Sequence, residues 1–325
     1  MSSKSHSGVL HQYAPKLVAF EFASSSSDAK KPNSLLFIGG LTDGLCTVPY
    51  VEHLAKALED TDWSVFSVLL STSYKGWGVG SLDKDIEEIA KCVRFVRDYK
   101  AESELESEPG KVVIMGHSTG SQDVLHYLCS ENPTPYRASG PKDKLEHVIR
   151  PEVDGAILQA PVSDREALMR SIRNGTATCT PGQVAGDYGL LVDFARRQPF
   201  TPDGINAVLP LNMTAKLGFP EDTPLSSRRF FSLASPDSPQ KPSEDDLFSS
   251  DLTDERLQRT FGAIAKRDLL RSKLLVLYSG KDEHVPDWVD KEALLQRWES
   301  ASGDKWGEAP TQELVDKVIE YLARI

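Results

Sequence analysis

The sequence predicts an α/β protein built on a doubly wound, mostly parallel sheet with a long insertion. Three observations predict it. Short apolar runs of strand length alternate with segments of helical period. More than a hundred residues separate two of those runs, 153–160 and 273–279. A serine flanked by glycines, Gly116-His117-Ser118-Thr119-Gly120, lies directly between a strand-like run and a helix-like one.

Taken in order, residues 16–22 alternate like an edge strand, and 34–38 form a continuous apolar run suited to a strand buried on both faces. A helix is expected over about 50–59 and a strand over 63–70. From 82 to 99, Ile86, Ile89, Ala90, Val93 and Val96 recur at helical spacing, which marks them as packing residues. The acidic stretch 102–110 reads as a solvated connector into the run 111–115, and a helix is expected over 121–128. The span between the last two strands far exceeds a crossover helix, so residues 165–268 are expected to form a lid over the sheet's carboxyl edge, within a single domain covering 1–325. Inside it, 235–246 is rich in proline, serine and acid and reads as a mobile, solvated loop whose carboxylates could attract a cationic substrate. A closing helix is expected over 311–325.

The glycine spacing carries the chemistry. A serine at a sharp strand-to-helix turn needs neighbours without a Cβ two residues away on either side, and Gly116 and Gly120 meet that need. The turn would expose Ser118 Oγ as a nucleophile and aim the Thr119 N–H at a developing oxyanion, the arrangement of an α/β-hydrolase fold. Upstream, Phe37-Ile38-Gly39-Gly40-Leu41 runs a strand into a glycine pair where such enzymes place the second oxyanion donor, making the Leu41 N–H the candidate. Downstream, Ser279-Gly280-Lys281-Asp282 follows a strand at the place of a triad acid; Asp282 is the candidate, with a helix cap or turn before Pro286 as its other reading.

Composition narrows the class of partner. A net charge of −11 would repel nucleic acid and anionic membrane surfaces, and no apolar run approaches the length of a membrane span. The start lacks the apolar segment of a secretory signal, so a cytoplasmic protein is expected. Cys46, Cys92, Cys129 and Cys179 show no metal-ligand spacing and read as free thiols in or near the core. Neither a metal nor an organic cofactor is expected; the expected partner is a small-molecule ester.

Together with Gly76-Trp77-Gly78-Val79-Gly80 and Leu158-Gln159-Ala160-Pro161-Val162-Ser163-Asp164-Arg165, these motifs resemble a family of fungal α/β-hydrolases that includes siderophore esterases acting on fusarinine-type hydroxamate esters. The resemblance spans most of the chain. It implies hydrolysis of an intracellular siderophore, in its ferric or iron-free form, through an acyl-enzyme, which would release hydroxamate monomers and weaken their hold on iron. A catalytically impaired binding protein of the same fold and a general carboxylesterase are the other readings.

One departure stands out. In this fold the histidine base follows the last strand, yet no histidine follows His284, and 299–310 contain no apolar run from which that strand is expected. His284 could stand in, paired with Asp282 or with Asp164. His117, His126, His53 and His147 read as structural or solvent-facing residues.

Overall fold

The computed structural model describes residues 5–23, 30–101, 109–132, 149–198, 207–279, 285–308 and 314–325. Among them, eight strands form one sheet: β1 (Gly8–Ala14), β2 (Leu17–Phe22), β3 (Asn33–Ile38), β4 (Trp63–Val68), β5 (Val112–His117), β6 (Gly155–Gln159), β7 (Leu274–Leu277) and β8 (Trp306–Glu308), in the order β1-β2-β4-β3-β5-β6-β7-β8. From β4 to β8 all pairings are parallel, and β1 and β2 add an antiparallel margin.

The sheet departs from expectation at both of its margins. The true margin is β1, so the strand expected at the edge lies one place inside it. The sequence signal of β1 is weak because its first three residues face solvent, leaving an exposed Val9 and Leu10 beside a buried His11. At the other margin, a last strand does form where no apolar run promised one. Trp306 supplies the anchor by packing into the main core, and pairing through Leu274↔Trp306 and Leu275↔Glu308 does the rest. Three residues suffice because an edge strand draws backbone bonds from one neighbour only.

Helices cover both faces. On one lie α1 (Tyr50–Ala57) and α11 (Leu314–Leu322), which bury Leu54, Val318 and Tyr321 with the odd side chains of β3 and β5, such as Leu35 and Met115. Tyr321 ties α11 to the sheet: its hydroxyl donates to Lys273 O and accepts from Ala156 N–H. On the other face lie α2 (Leu82–Ala101) and α3 (Thr119–Cys129), with the later α8 (Asp254–Arg259), α9 (Ile264–Arg267) and α10 (Lys291–Ser302). The stripe Ile86, Ile89, Ala90, Val93 and Val96 is buried there, as its spacing requires.

The residues between β6 and β7 carry α4 (Asp164–Asn174), α5 (Pro181–Arg197), α6 (Leu211–Thr214), α7 (Ser227–Ala234), α8 and α9. The first four of these helices gather an apolar cluster of their own around Leu191, Phe230 and Leu233, into which Trp77 also inserts. The segment 235–246 departs from its expected solvated state. Ser235, Asp245 and Asp246 are buried, and those two acids face inward because an arginine of α7 and hydroxyls nearby supply partners that composition cannot show, while Asp237 stays at the surface with Arg196.

The topology decides where a site can lie. The chain leaves β3 toward β4 and returns to place β5 on the opposite side of β3, so a crevice opens at the carboxyl ends of β3 and β5. Ile38↔Gly116 and His117↔Gln159 align those ends with that of β6.

Candidate active site

Ser118 stands between the end of β5 and the first residue of α3 with φ 53° and ψ −121°, a left-handed φ that non-glycine residues rarely adopt. The surroundings hold it there. Its N–H donates to Gln159 O at 2.9 Å, and its carbonyl accepts from Ser121 N–H at 2.8 Å. The Ser121 hydroxyl, in turn, reaches Gly116 O and Gln159 O at 3.0 and 2.9 Å. Both flanking glycines are required by close approach of backbone: a Cβ on Gly116 would lie 2.1 Å from Gly120 O, and one on Gly120 would lie 2.4 Å from Ile38 O. Such an outlier, over-determined by its neighbours, is how strain is kept at a reactive position.

The loop after β3 meets this elbow directly. A Cβ on Gly40 would fall 2.9 Å from both His117 O and Ser118 Cβ. Gly40 and Asp43 close a turn, Asp43 N–H to Gly40 O at 3.1 Å, with Thr42 at φ 68° in the turn position that demands positive φ. The Gly40 N–H is taken by Asp43 Oδ2 at 2.9 Å. The Leu41 N–H, next along, has no acceptor among the described residues, and that of Thr119 opens a helix and so has no intrahelical acceptor. Ser118, Leu41 and Thr119 are thus brought to one place; Asp282 and His284 lie outside the described residues, as does His147.

Among the described residues no histidine is hydrogen-bonded to Ser118. His117 lies between Phe37 and Tyr50, its Nδ1 against Gln159 Oε1 and its Nε2 3.9 Å from Asp43 Oδ2. His126 bonds Asp83 at 2.8 Å and lies 3.8 Å from Glu244. Asp83, His126 and Glu244 converge within 4.8 Å, a spacing that suits a metal ion, although the His126–Asp83 bond already accounts for two of the three. His53 is exposed on α1.

A group of buried charges behind the elbow escaped the sequence reading. Arg229 of α7 pairs with Asp245 at 2.7 Å, both side chains almost wholly buried. Asp85 of α2 accepts the Thr72 hydroxyl at 2.6 Å, and Asp123 of α3 keeps Oδ1 without a donor. Burial pushes the Asp85 carboxyl up to about 7 and that of Asp123 well above its ordinary value. Asp164, at the start of α4, is pushed up to about 6, chiefly by burial, although Gln122 donates to it at 2.5 Å. The readable signal was Asp85, a carboxylate set in the apolar stripe of α2. Asp85, Asp123, Arg229 and Trp77 line a cavity of about 20 Å³ whose other wall is Gly40, Leu41 and Thr119. It admits a group the size of one water molecule.

A serine in a strained strand-to-helix turn, with backbone N–H groups of Leu41 and Thr119 near it and a crevice at the carboxyl edge, is an arrangement that suits acyl transfer. The family described as a protein of unknown function, DUF1749, matches residues 1–316. The chain belongs to the DUF1749 family. Its relatives add chemistry: it is 52% identical to the fusarinine C esterase sidJ of Aspergillus fumigatus, over 98% of this chain and 96% of that protein. It is also 48% identical to esterase AN6793 of Emericella nidulans, over 91% of this chain and 80% of that one. The siderophore hydrolase EstB from Aspergillus fumigatus superposes with a TM-score of 0.85 at 44% identity, covering 98% of each chain. A carboxyl esterase from Bacillus coagulans, at 11% identity and TM-score 0.52 over 99% of each chain, shares the fold alone. The architecture is that of an α/β-hydrolase, as the motifs predicted. No described helix is long and apolar enough to cross a membrane.

Proposed function

We propose that this protein is a serine esterase that hydrolyses the ester bonds of a hydroxamate siderophore of the fusarinine type. The observation that carries the reading is the strained Ser118 at the strand–helix junction, with Gly40 seated against its Cβ and the Leu41 and Thr119 N–H groups beside it. Ser118 Oγ attacks the ester carbonyl, and those N–H groups take up the oxyanion charge. The alcohol leaves, and water then releases the acyl group from Ser118. Asp282 orients His284, which takes the serine proton and returns it to the departing alkoxide. Residues 165–268 act as the lid. The substrate class rests on the 52% identity to a protein named for fusarinine C hydrolysis. In the cytoplasm such cleavage would loosen the hydroxamates' hold on iron and serve iron homeostasis.

A second reading, a binding protein of the same fold with impaired catalysis, is favoured by one specific observation: no histidine follows His284. The alignment with sidJ runs over 345 positions, 20 more than the 325 residues of this chain, so that relative carries residues without a counterpart here. The deciding experiment incubates ferric fusarinine C with the wild type and with Ser118→Ala and follows the products by mass spectrometry, alongside labelling by a fluorophosphonate. Monomer release and labelling that both depend on Ser118 are expected. Folded protein that neither labels nor releases monomers would replace the esterase by the binding protein.

A further inference from the structure

We infer that Asp43 is a positioning residue for the oxyanion hole: it takes the Gly40 N–H out of play, holds the strained turn at Thr42, and thereby presents the Leu41 N–H to the reacting carbonyl. The inference rests on the esterase reading and adds a residue to it. Asp43 is the hub of the loop after β3. Its Oδ2 accepts the Gly40 N–H at 2.9 Å, its N–H donates to Gly40 O at 3.1 Å, and its carbonyl accepts from Tyr74 N–H at 2.8 Å. Oδ1 accepts the Thr47 hydroxyl at 3.0 Å, and that hydroxyl oxygen accepts the Gly44 N–H at 3.0 Å. One side chain therefore binds both ends of the sequence that surrounds Leu41.

The turn needs such a hold. Thr42 is β-branched, and at φ 68° it occupies a region that such a side chain rarely adopts unless its surroundings impose it. Packing alone does not impose it, because residues 41–46 are only partly buried or exposed. The Gly40–Asp43 turn uses the N–H of Asp43 and the side chain uses that of Gly40, so the donors left over belong to Leu41 and Thr42. Without the carboxylate, the Gly40 N–H would itself seek an acceptor and the loop could turn a different donor toward Ser118.

Asp43 also faces the elbow. His117 Nε2 lies 3.9 Å from Oδ2, and the far side of that ring contacts Gln159, which holds the Tyr50 hydroxyl at 3.0 Å. Gln159 O is the acceptor for Ser118 N–H. The ends of β3, β5 and β6 are thus brought together by polar groups, with the 3.9 Å approach of His117 to Asp43 joining the loop after β3 to the elbow.

The test measures kcat and KM for p-nitrophenyl acetate with wild type, Asp43→Ala, Asp43→Asn and Thr47→Val, and fluorophosphonate labelling of each. Asn keeps an oxygen for the Gly40 N–H and can donate to Thr47. The expected result is a 10- to 100-fold fall in kcat for Asp43→Ala at nearly constant KM, recovery to within about threefold of wild type in Asp43→Asn, and an intermediate loss in Thr47→Val. Should Asp43→Ala fail to fold, Thr47→Val carries the test, since it trims only the outer bond of the hub. Unchanged kcat in a folded Asp43→Ala, a change confined to KM, or an Asn variant as impaired as Ala would overturn the inference. Wild type that neither turns over the ester nor labels would sink the esterase reading instead, so the two failures are distinguishable.

Discussion

Replacing Gly40 by alanine probes the assembly of the site at its tightest point. A Cβ there lies 2.9 Å from His117 O and from Ser118 Cβ, and 3.3 Å from Thr119 N. Contact at ordinary van der Waals range needs the loop and elbow to part by about 0.5–1 Å. None of these three atoms is the end of a flexible side chain, so the movement must displace the Leu41 N–H, the Thr119 N–H or Ser118, the proposed nucleophile. Loss of one preorganised oxyanion donor lowers kcat by about 10²–10³, or about 3–4 kcal/mol of transition-state stabilisation. The assay is ester hydrolysis with kcat and KM resolved, beside thermal unfolding. Gly186→Ala serves as control, because a Cβ on Gly186 meets nothing within 4 Å. A folded Gly40→Ala enzyme with kcat within about threefold of wild type would refute the placement of the donors.

Further outcomes follow from other positions. Because Ser118 holds φ 53°, Ser118→Gly and Ser118→Ala should both be inactive, but the glycine variant should unfold about 1 kcal/mol or more later, and equal melting points would show that no strain is stored there. Arg229→Met should cost about 3–5 kcal/mol in denaturant unfolding, since it strands the buried Asp245 carboxylate; a loss below about 1 kcal/mol would mean the cluster is neutral without it. On α5, Gly182, Gly186 and Gly189 face open space, so changing all three to alanine should raise stability by about 0.5–1 kcal/mol each, and a destabilised triple variant would contradict the geometry. Burial raises the Asp85 carboxyl to about 7, so the folded state keeps a proton that the unfolded chain gives up near pH 4. Its contribution is present below that point, is lost as pH climbs toward 7, and is level above it; Asp85→Asn should flatten that decline, and an unaltered slope would assign the decline to other groups.

The features legible in the chain before folding are local in origin. The buried strands β3 and β5 announce themselves as unbroken apolar runs because both faces of an interior parallel strand are covered. The elbow is legible in part because a Cβ on Gly116 would strike Gly120 O four residues on, a clash that spacing expresses, whereas Gly120 is required by the approach of Ile38 O from another strand. The stripe of α2 follows from helical period. Tertiary structure decided what depends on partners distant in the chain. Trp306 finds a strand register only against Leu274, and β1 exists only because β2 lies beside it. The stretch 235–246 has the composition of a solvated loop, yet it folds inward because Arg229 reaches Asp245 and because Ser238 and Ser249 bond Asp246. The role proposed for Asp43 depends on a tertiary event, the approach of Gly40 to Ser118 once β3 and β5 pair, which no local spacing expresses. Periodicity records which side of an element is apolar; which charge meets which, across the crevice of a twisted sheet, is set by the order in which the strands assemble.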